Sequence, residues 1–242
     1  MKKVEIAKQF DFNATTVFLA ASVALASSAA LTYIVSALGS MNSTVKMIFQ
    51  IMSVVFMIFA YVMTVKGFSV VNKACKLSEA NENYYMGKNL MIFSIVSIVL
   101  SIILEIVAFV FYMMLYSYQQ AESLTPADLE AANNVKIITA IVVIAAQLVS
   151  IAMPYIFYLW RIHNITPKTD SINNFALLTM FIMIVQLAIG ILNSVYSIKG
   201  GDTSFLASFT EILKVVEYLV LVLFFALRRK CLVTVNEVTI EE

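Results

Sequence analysis

The amino-acid sequence predicts an all-α fold: a polytopic membrane protein built as a bundle of six transmembrane helices, with both termini in the cytoplasm. Three observations support this prediction. Of the 242 residues, 61% are hydrophobic and 13% are charged, whereas a soluble domain usually carries about 25% charged residues. Long apolar stretches alternate with short polar ones, and Lys and Arg concentrate at alternate ends of those stretches.

Six stretches are long enough to cross a bilayer as helices. A hydrocarbon core of about 30 Å needs about 20 apolar residues at 1.5 Å per residue. Polar or turn-forming segments separate the stretches, among them 67–89 and the Gly-Gly pair at 200–201. The predicted spans form one transmembrane domain over 1–242 and lie near 16–38, 46–66, 90–116, 137–160, 175–198 and 207–227.

The distribution of Lys and Arg predicts the orientation, because cytoplasmic span ends carry an excess of these residues. Three of them, Lys46, Lys136 and Lys199, lie at one set of span ends. An even number of spans also returns the chain to its starting side. We therefore expect a multi-pass protein of the cell membrane with cytoplasmic termini. The other set of span ends carries Lys2, Lys3, Lys8, Lys66, Lys73, Lys76, Lys88, Arg161, Lys168, Arg228, Arg229 and Lys230.

The first predicted span has an alternative reading as a cleaved signal peptide. Two lysines precede it, and residues 24–26 read Ala-Leu-Ala, which resembles a cleavage site. However, the leader also holds acidic residues, and the apolar run continues to Leu38. These features favour a span.

Small residues form a stripe along this span, with Ala20, Ala24 and Ser28 recurring every four residues. Small side chains let helix backbones approach closely in a membrane. The stripe therefore predicts a helix-packing face. Its neighbour is either another helix of the bundle, or a partner subunit or second copy of the chain.

Charged residues in the last predicted span indicate a polar site in the membrane interior. Glu211, Lys214 and Glu217 follow one another at intervals of three residues, which places them along one side of a helix. Glu105, in the third span, lies at about the depth of Lys214. We expect these two to pair, because an unpaired charge costs several kcal/mol in hydrocarbon.

Amide side chains extend this predicted site to the two spans between. Gln147 and Gln186 lie near the centres of the fourth and fifth spans. Three acids and one lysine leave a net negative charge, so an acid must be protonated, reach water or bind a cation. The site is either a pathway for a proton, a cation or a small polar solute, or a structural ion pair with amide hydrogen bonds.

Enzyme chemistry is not indicated. The sequence has one histidine, His163, and no G-x-S-x-G, P-loop or H-E-x-x-H motif. We therefore expect no catalytic residues, no cofactor and no metal site. The net charge of +1 and the absence of a dense basic tract give no reason to expect nucleic acid.

The predicted function is a small transporter or permease, or the membrane subunit of a transport system, in contact with the lipid bilayer. The alternative is a non-catalytic structural or assembly subunit of a larger membrane complex.

Six spans divide into two halves of three, as in inverted-repeat transporters, or equally into three hairpins. Pro154 should kink the fourth span. Thr125, Pro126 and Asp128 have the pattern of a helix start before that span, although the segment also reads as a solvated acidic loop.

Overall fold

The computed structural model describes residues 2–38, 42–77, 87–119, 125–165, 171–198 and 204–238. These residues are helical apart from short ends and one internal break, and they contain no strand, as the predicted all-α class requires. Lys168, Lys199 and the Gly-Gly pair at 200–201 lie outside the described residues. The helices are α1 (Lys2–Ala37), α2 (Ser43–Leu77), α3 (Gly87–Gln119), α4 (Pro126–Leu148), α5 (Ala152–Ile165), α6 (Ser171–Ile198) and α7 (Ser204–Val238).

Five stretches of the described helices are long and apolar enough to cross a bilayer, which indicates a multi-pass membrane protein. They match the first five predicted spans, of which 16–38 and 175–198 each end one residue beyond the corresponding stretch. The sixth predicted span, 207–227, lies within α7 but is not among the five, because it carries three charges. The five stretches are Asp11–Ala37, Ser43–Lys73, Lys88–Tyr118, Pro126–Asn164 and Ser171–Ser197.

Several helices run past the predicted span ends. The first begins at Lys2, the second ends at Leu77 and the last ends at Val238, so the predicted break at 67–89 is wrong over 67–77. Backbone hydrogen bonding continues into polar residues, and a helix of 36 residues extends over roughly 54 Å at 1.5 Å per residue. Such helices project well beyond a hydrocarbon core of about 30 Å.

The helices pack in a closed ring in the order α1, α2, α3, α4, α6, α7, with α7 contacting α1. The short helix α5 contacts α3 and α6 instead of extending the wall that α4 forms. We call the end of the bundle that holds the start of α1 and the end of α7 the termini end. The opposite end, where α1 stops and α2 starts, is the far end.

The fourth predicted span is broken rather than only kinked. Helix α4 stops at Leu148 and α5 starts at Ala152. Because Pro154 has no N–H, the carbonyl of Ser150, four residues earlier, cannot receive its α-helical hydrogen bond. The amide of Met153 donates to that carbonyl instead, at 3.1 Å. The break lets α5 leave the wall and enter the middle of the bundle.

Aromatic side chains fill the bundle at the termini end. The cluster consists of five aromatic rings, all of them fully buried. Phe18 of α1 lies at its centre. The centroid of Phe18 lies 4.9 Å from Phe68 and 5.2 Å from Phe225. Two rings of α5 complete the aromatic layer, which comprises Phe18, Phe68, Tyr155, Tyr158 and Phe225.

An ion pair lies closer still to the termini end and joins the first helix to the last. Nη2 of Arg228 donates to Oδ2 of Asp11 at 3.0 Å, and both side chains are largely buried. The next arginine, Arg229, has its guanidinium 5.5 Å from the centroid of Phe12. Together with the aromatic layer, this pair closes the bundle at this end.

The small-residue stripe packs within the bundle. Ala24 and Ser28 are buried and Ala20 is half-buried. The hydroxyl oxygens of Ser28 and Ser53 lie 2.9 Å apart, and Ser53 donates to the Ser28 carbonyl at 3.0 Å. At Ser28, therefore, this face contacts α2 of the same chain.

The start of α4 is capped as its sequence predicts. Thr125 Oγ1 accepts the amide of Asp128 at 3.2 Å, and the Thr125 amide donates to Asp128 Oδ2 at 2.9 Å. This reciprocal pair satisfies two backbone donors at the helix end. The helix reading of this segment is confirmed, and the loop reading is wrong.

Candidate solute-binding cavity

A cavity of about 420 Å³ lies inside the ring of helices, between the far end and the aromatic layer. Every member of the ring contributes to its wall. The polar residues predicted from four separate spans all line this cavity: Glu105, Gln147, Gln186, Glu211, Lys214 and Glu217. The structure therefore brings the whole predicted set together.

Glu217 forms part of the cavity floor. Its side chain is 1% exposed, and its Oε1 has no hydrogen-bond partner among the described residues. Tyr218, which follows it, is also buried and lines the same cavity. One turn closer to the aromatic layer, Leu221 is fully buried. The deepest ionisable group thus lies directly above the closed part of the bundle.

Lys214 lies one helical turn above Glu217, and its side chain is exposed. Lys214 is therefore more exposed than Glu217, which lies one turn closer to the aromatic layer. Within the described part of the chain, Lys214 forms no salt bridge with Glu105, Glu211 or Glu217. The expected pairing of Glu105 with Lys214 is wrong, because α3 and α7 lie on opposite sides of the ring with the cavity between them.

The other two acids each accept a hydrogen bond from a serine hydroxyl. Ser101, one turn earlier on α3, donates to Oε1 of Glu105 at 3.3 Å. Ser36 of α1 donates to Oε2 of Glu211 on the neighbouring α7. Each of these carboxylates thus has a hydrogen-bond donor, whereas Oε1 of Glu217 has none among the described residues.

Gln147 lines the cavity immediately before the helix break. Its Oε1 is buried and has no hydrogen-bond partner among the described residues. Gly190 of α6 makes room for this amide, because a Cβ at Gly190 would lie 3.0 Å from both Nε2 and Oε1 of Gln147. Gln147 is therefore held at the wall with an unused acceptor.

Hydroxyl groups of α1 and α2 form a further part of the wall that sequence reasoning missed. Ser53 Oγ lies 2.9 Å from the hydroxyl oxygens of both Ser28 and Thr32, and all three residues line the cavity. From the sequence, Ser28 is predicted only to pack against a neighbouring helix. Tyr61 also lines the cavity. Because its hydroxyl lies in the middle of an apolar span, its position at the cavity could have been predicted from the sequence.

The broken helix completes the wall between α3 and α6. Ser150, Ile151 and Ala152 line the cavity, so the end of α4 and the start of α5 both face it. Irregular backbone at membrane depth is tolerated where it lines such a cavity. Among the described residues, no three His, Cys, Asp or Glu side chains come together as a set of metal ligands.

Chemically, the cavity offers carboxylates, one ammonium, amides and hydroxyls around a space that is closed at one end. Such a lining can bind and orient a small charged or polar solute away from bulk water. No protein-family model matches the sequence, and no curated protein or solved structure is detectably similar to it. The function of the chain is therefore inferred from its own geometry.

Proposed function

We propose that the chain is a small membrane transporter, or the membrane subunit of a transport system, whose cavity binds a polar solute within the bilayer. The observation that carries this proposal is the cavity itself, which combines a polar wall with a closed floor. Binding sites near the membrane midplane, built partly from discontinuous helices, are typical of secondary transporters. Here the break between Leu148 and Ala152 lies in the cavity wall.

The closed end favours a carrier over an open channel. A solute that leaves through the termini end must pass the aromatic layer and the Arg228–Asp11 ion pair. Neither offers a continuous polar path, so passage requires the helices to move. The break before α5 supplies a hinge, because α5 is tied to α4 by only three non-helical residues, 149–151.

In this proposal α7 is the sixth span and both termini are cytoplasmic. The charges of α7 lie towards the cavity, while exposed apolar residues such as Leu219 and Leu223 lie on its other side. The excess of Lys and Arg at the termini end supports a cytoplasmic position for that end. The cavity then opens to the outside of the cell membrane.

One experiment tests the open and closed ends directly. Single cysteines are introduced at Thr32, in the cavity wall, and at Ile106, on the outer surface of α3, after both native cysteines are replaced by serine. Sealed vesicles of known orientation are treated with a membrane-impermeant thiol reagent. We expect Thr32→Cys to react from the outside only and Ile106→Cys to react from neither side. If Thr32→Cys is unreactive from both sides, the proposed cavity is sealed and the transport proposal fails.

Neutralising the floor acid tests function. In proteoliposomes, uptake is measured for radiolabelled Na⁺, methylammonium, acetate and the common amino acids. Glu217→Gln should abolish the uptake that the unchanged protein shows, while the protein is still produced and folded. Glu130→Gln, at an exposed position of α4 outside the cavity, is the matched control and should keep the uptake. Uptake by Glu217→Gln equal to that of the unchanged protein would contradict the assignment of Glu217.

The alternative function, a non-catalytic assembly subunit, was predicted to use the Ala20, Ala24 and Ser28 face. That face contacts α2 of the same chain, with Ser53 bonded to Ser28. A partner subunit would have to bind a different surface. The observations therefore favour the transport proposal.

A further inference from the structure

We infer that the solute is a small zwitterion, such as an amino acid, bound with its ammonium group towards Glu217 and its carboxylate towards Lys214. This inference rests on the proposed function and names the substrate class of the same cavity. The observation behind it is a pair of opposite charges that share one wall without pairing. Glu217 is buried with a free acceptor oxygen, and Lys214 is exposed to the cavity without a salt bridge to any of the three acids.

Lys214 and Glu217 together favour a solute that carries both signs of charge. A cation at the floor would meet Glu217 but would also bring its charge near the ammonium of Lys214. An anion near Lys214 would lie in a cavity that also contains the carboxylates of Glu105 and Glu211. A zwitterion places an opposite charge beside each group, so that neither charge is buried without a partner.

The different depths of Glu217 and Lys214 in the cavity determine the orientation of the ligand. Glu217 lies at the closed floor and Lys214 lies towards the open far end. The solute must therefore enter with its ammonium group first. An ammonium group carries three donors, and the cavity offers two buried acceptors without partners, Oε1 of Glu217 and Oε1 of Gln147.

Spacing and size limit the ligand to short zwitterions. Lys214 and Glu217 are three residues apart, which corresponds to a rise of about 4.5 Å along the helix. The ammonium and carboxylate of a short amino acid are a few ångströms apart, which suits one helical turn. The cavity volume of about 420 Å³ lies near the lower end of the range for small-molecule sites.

Equilibrium binding to the purified full-length chain in lipid nanodiscs tests the inference. The probes are the twenty common amino acids, β-alanine and γ-aminobutyrate, with methylammonium and acetate as single-charge comparisons. Binding is measured by titration calorimetry and by the rise in melting temperature that a ligand of the folded state produces. We expect at least one zwitterion to bind about tenfold or more tightly than either single-charge probe, since charge-assisted contacts form at both ends.

Charge-removing variants at both positions identify the site. Lys214→Gln and Glu217→Gln should each weaken the best zwitterion by about tenfold or more, the loss expected from one charge-assisted contact. Lys136→Gln and Glu130→Gln, which lie on α4 outside the cavity, are matched controls and should bind as the unchanged protein does. Lys214 is exposed, so its variant carries the test if Glu217→Gln does not fold.

The outcomes separate this inference from the proposed function. Tight binding of methylammonium that Lys214→Gln leaves unchanged would overturn the inference of a zwitterionic solute. The proposed transporter would then carry a cation. Tight acetate binding that Glu217→Gln leaves unchanged would likewise leave an anion transporter. If no zwitterion binds, the inference is overturned. The proposed function fails as well only if Thr32→Cys is also unreactive from both sides of the membrane.

Discussion

Replacing Phe18 with alanine should destabilise the bundle and open its closed end. This side chain is fully buried at the centre of the aromatic layer. It contacts rings from three other helices, so its removal leaves a hole that no single neighbour can fill. The centroid distances from Phe18 are 4.9 Å to Phe68, 5.1 Å to Tyr158, 5.2 Å to Phe225 and 5.8 Å to Tyr155.

The expected loss follows from these contacts. Four aromatic pairs of about 0.5–1.5 kcal/mol each would total about 2–6 kcal/mol, and a buried Phe→Ala change costs about 3–5 kcal/mol. These two figures describe overlapping effects and are not added. A membrane protein exchanges its surface with lipid rather than water, so dispersion contacts supply most of the loss. We therefore expect a loss of about 3 kcal/mol, roughly a hundredfold in the unfolding equilibrium.

Unfolding in a denaturing detergent, followed by helical circular dichroism, measures this change in the free energy of unfolding. Phe181→Ala is the matched control, because Phe181 is 63% exposed on the outer surface of α6. The control should change stability by less than about 0.5 kcal/mol. In proteoliposomes, Phe18→Ala should also increase the passive leak of small ions, and Phe181→Ala should not. Equal stability and equal leak in the two variants would refute the role given to the aromatic layer.

Two further predictions concern the same end of the bundle. Gly67→Ala should cost about 1–3 kcal/mol, because its Cβ would lie 2.4 Å from the Phe18 ring; unfolding measurements should show partial recovery when Phe18→Leu is added, and no recovery would contradict this clash. Asp11→Asn should cost about 3 kcal/mol, because it removes the negative charge that Nη2 of the buried Arg228 contacts at 3.0 Å. A double-mutant cycle with Arg228→Gln should then give a coupling energy, whereas additive losses would show that the pair contributes nothing.

The helical class and most span positions could be predicted from the sequence, because apolar length alone determines them. The ends of the helices could not be predicted in this way. Lys2 and Val238 lie in mixed polar segments, where backbone hydrogen bonding continues without an apolar signal. The position of α5 was also beyond sequence reasoning. The run 137–160 carries no charged residue, and only the packing of Tyr155 and Tyr158 against other helices shows that its second half turns inwards.

The charged and amide residues of the cavity could be predicted from the sequence, but not the hydroxyl groups of its wall or the hydrogen-bond partners of the acids. Polar residues at one membrane depth must avoid lipid, so Glu105, Gln147 and Lys214 were expected to face a common interior. The order of the helices around the ring decides which of these residues are in contact. That order cannot be read from the composition of the spans. Glu105 and Lys214 therefore lie on separate walls of the cavity instead of forming the expected pair, and Glu105 accepts a hydrogen bond from Ser101.

The contact between α1 and α7 has a consequence for biosynthesis. Ribosomes produce α1 before every other helix described, so it must wait in the membrane until α7 emerges and closes the ring. Until then Asp11 lacks Arg228. Helix α7 itself carries too many charges to qualify as an apolar span, and it finds a polar surrounding only in the wall that the earlier helices have built. In the proposed six-span arrangement, insertion of α7 and closure of the ring are expected to occur as one coupled, late event in membrane assembly.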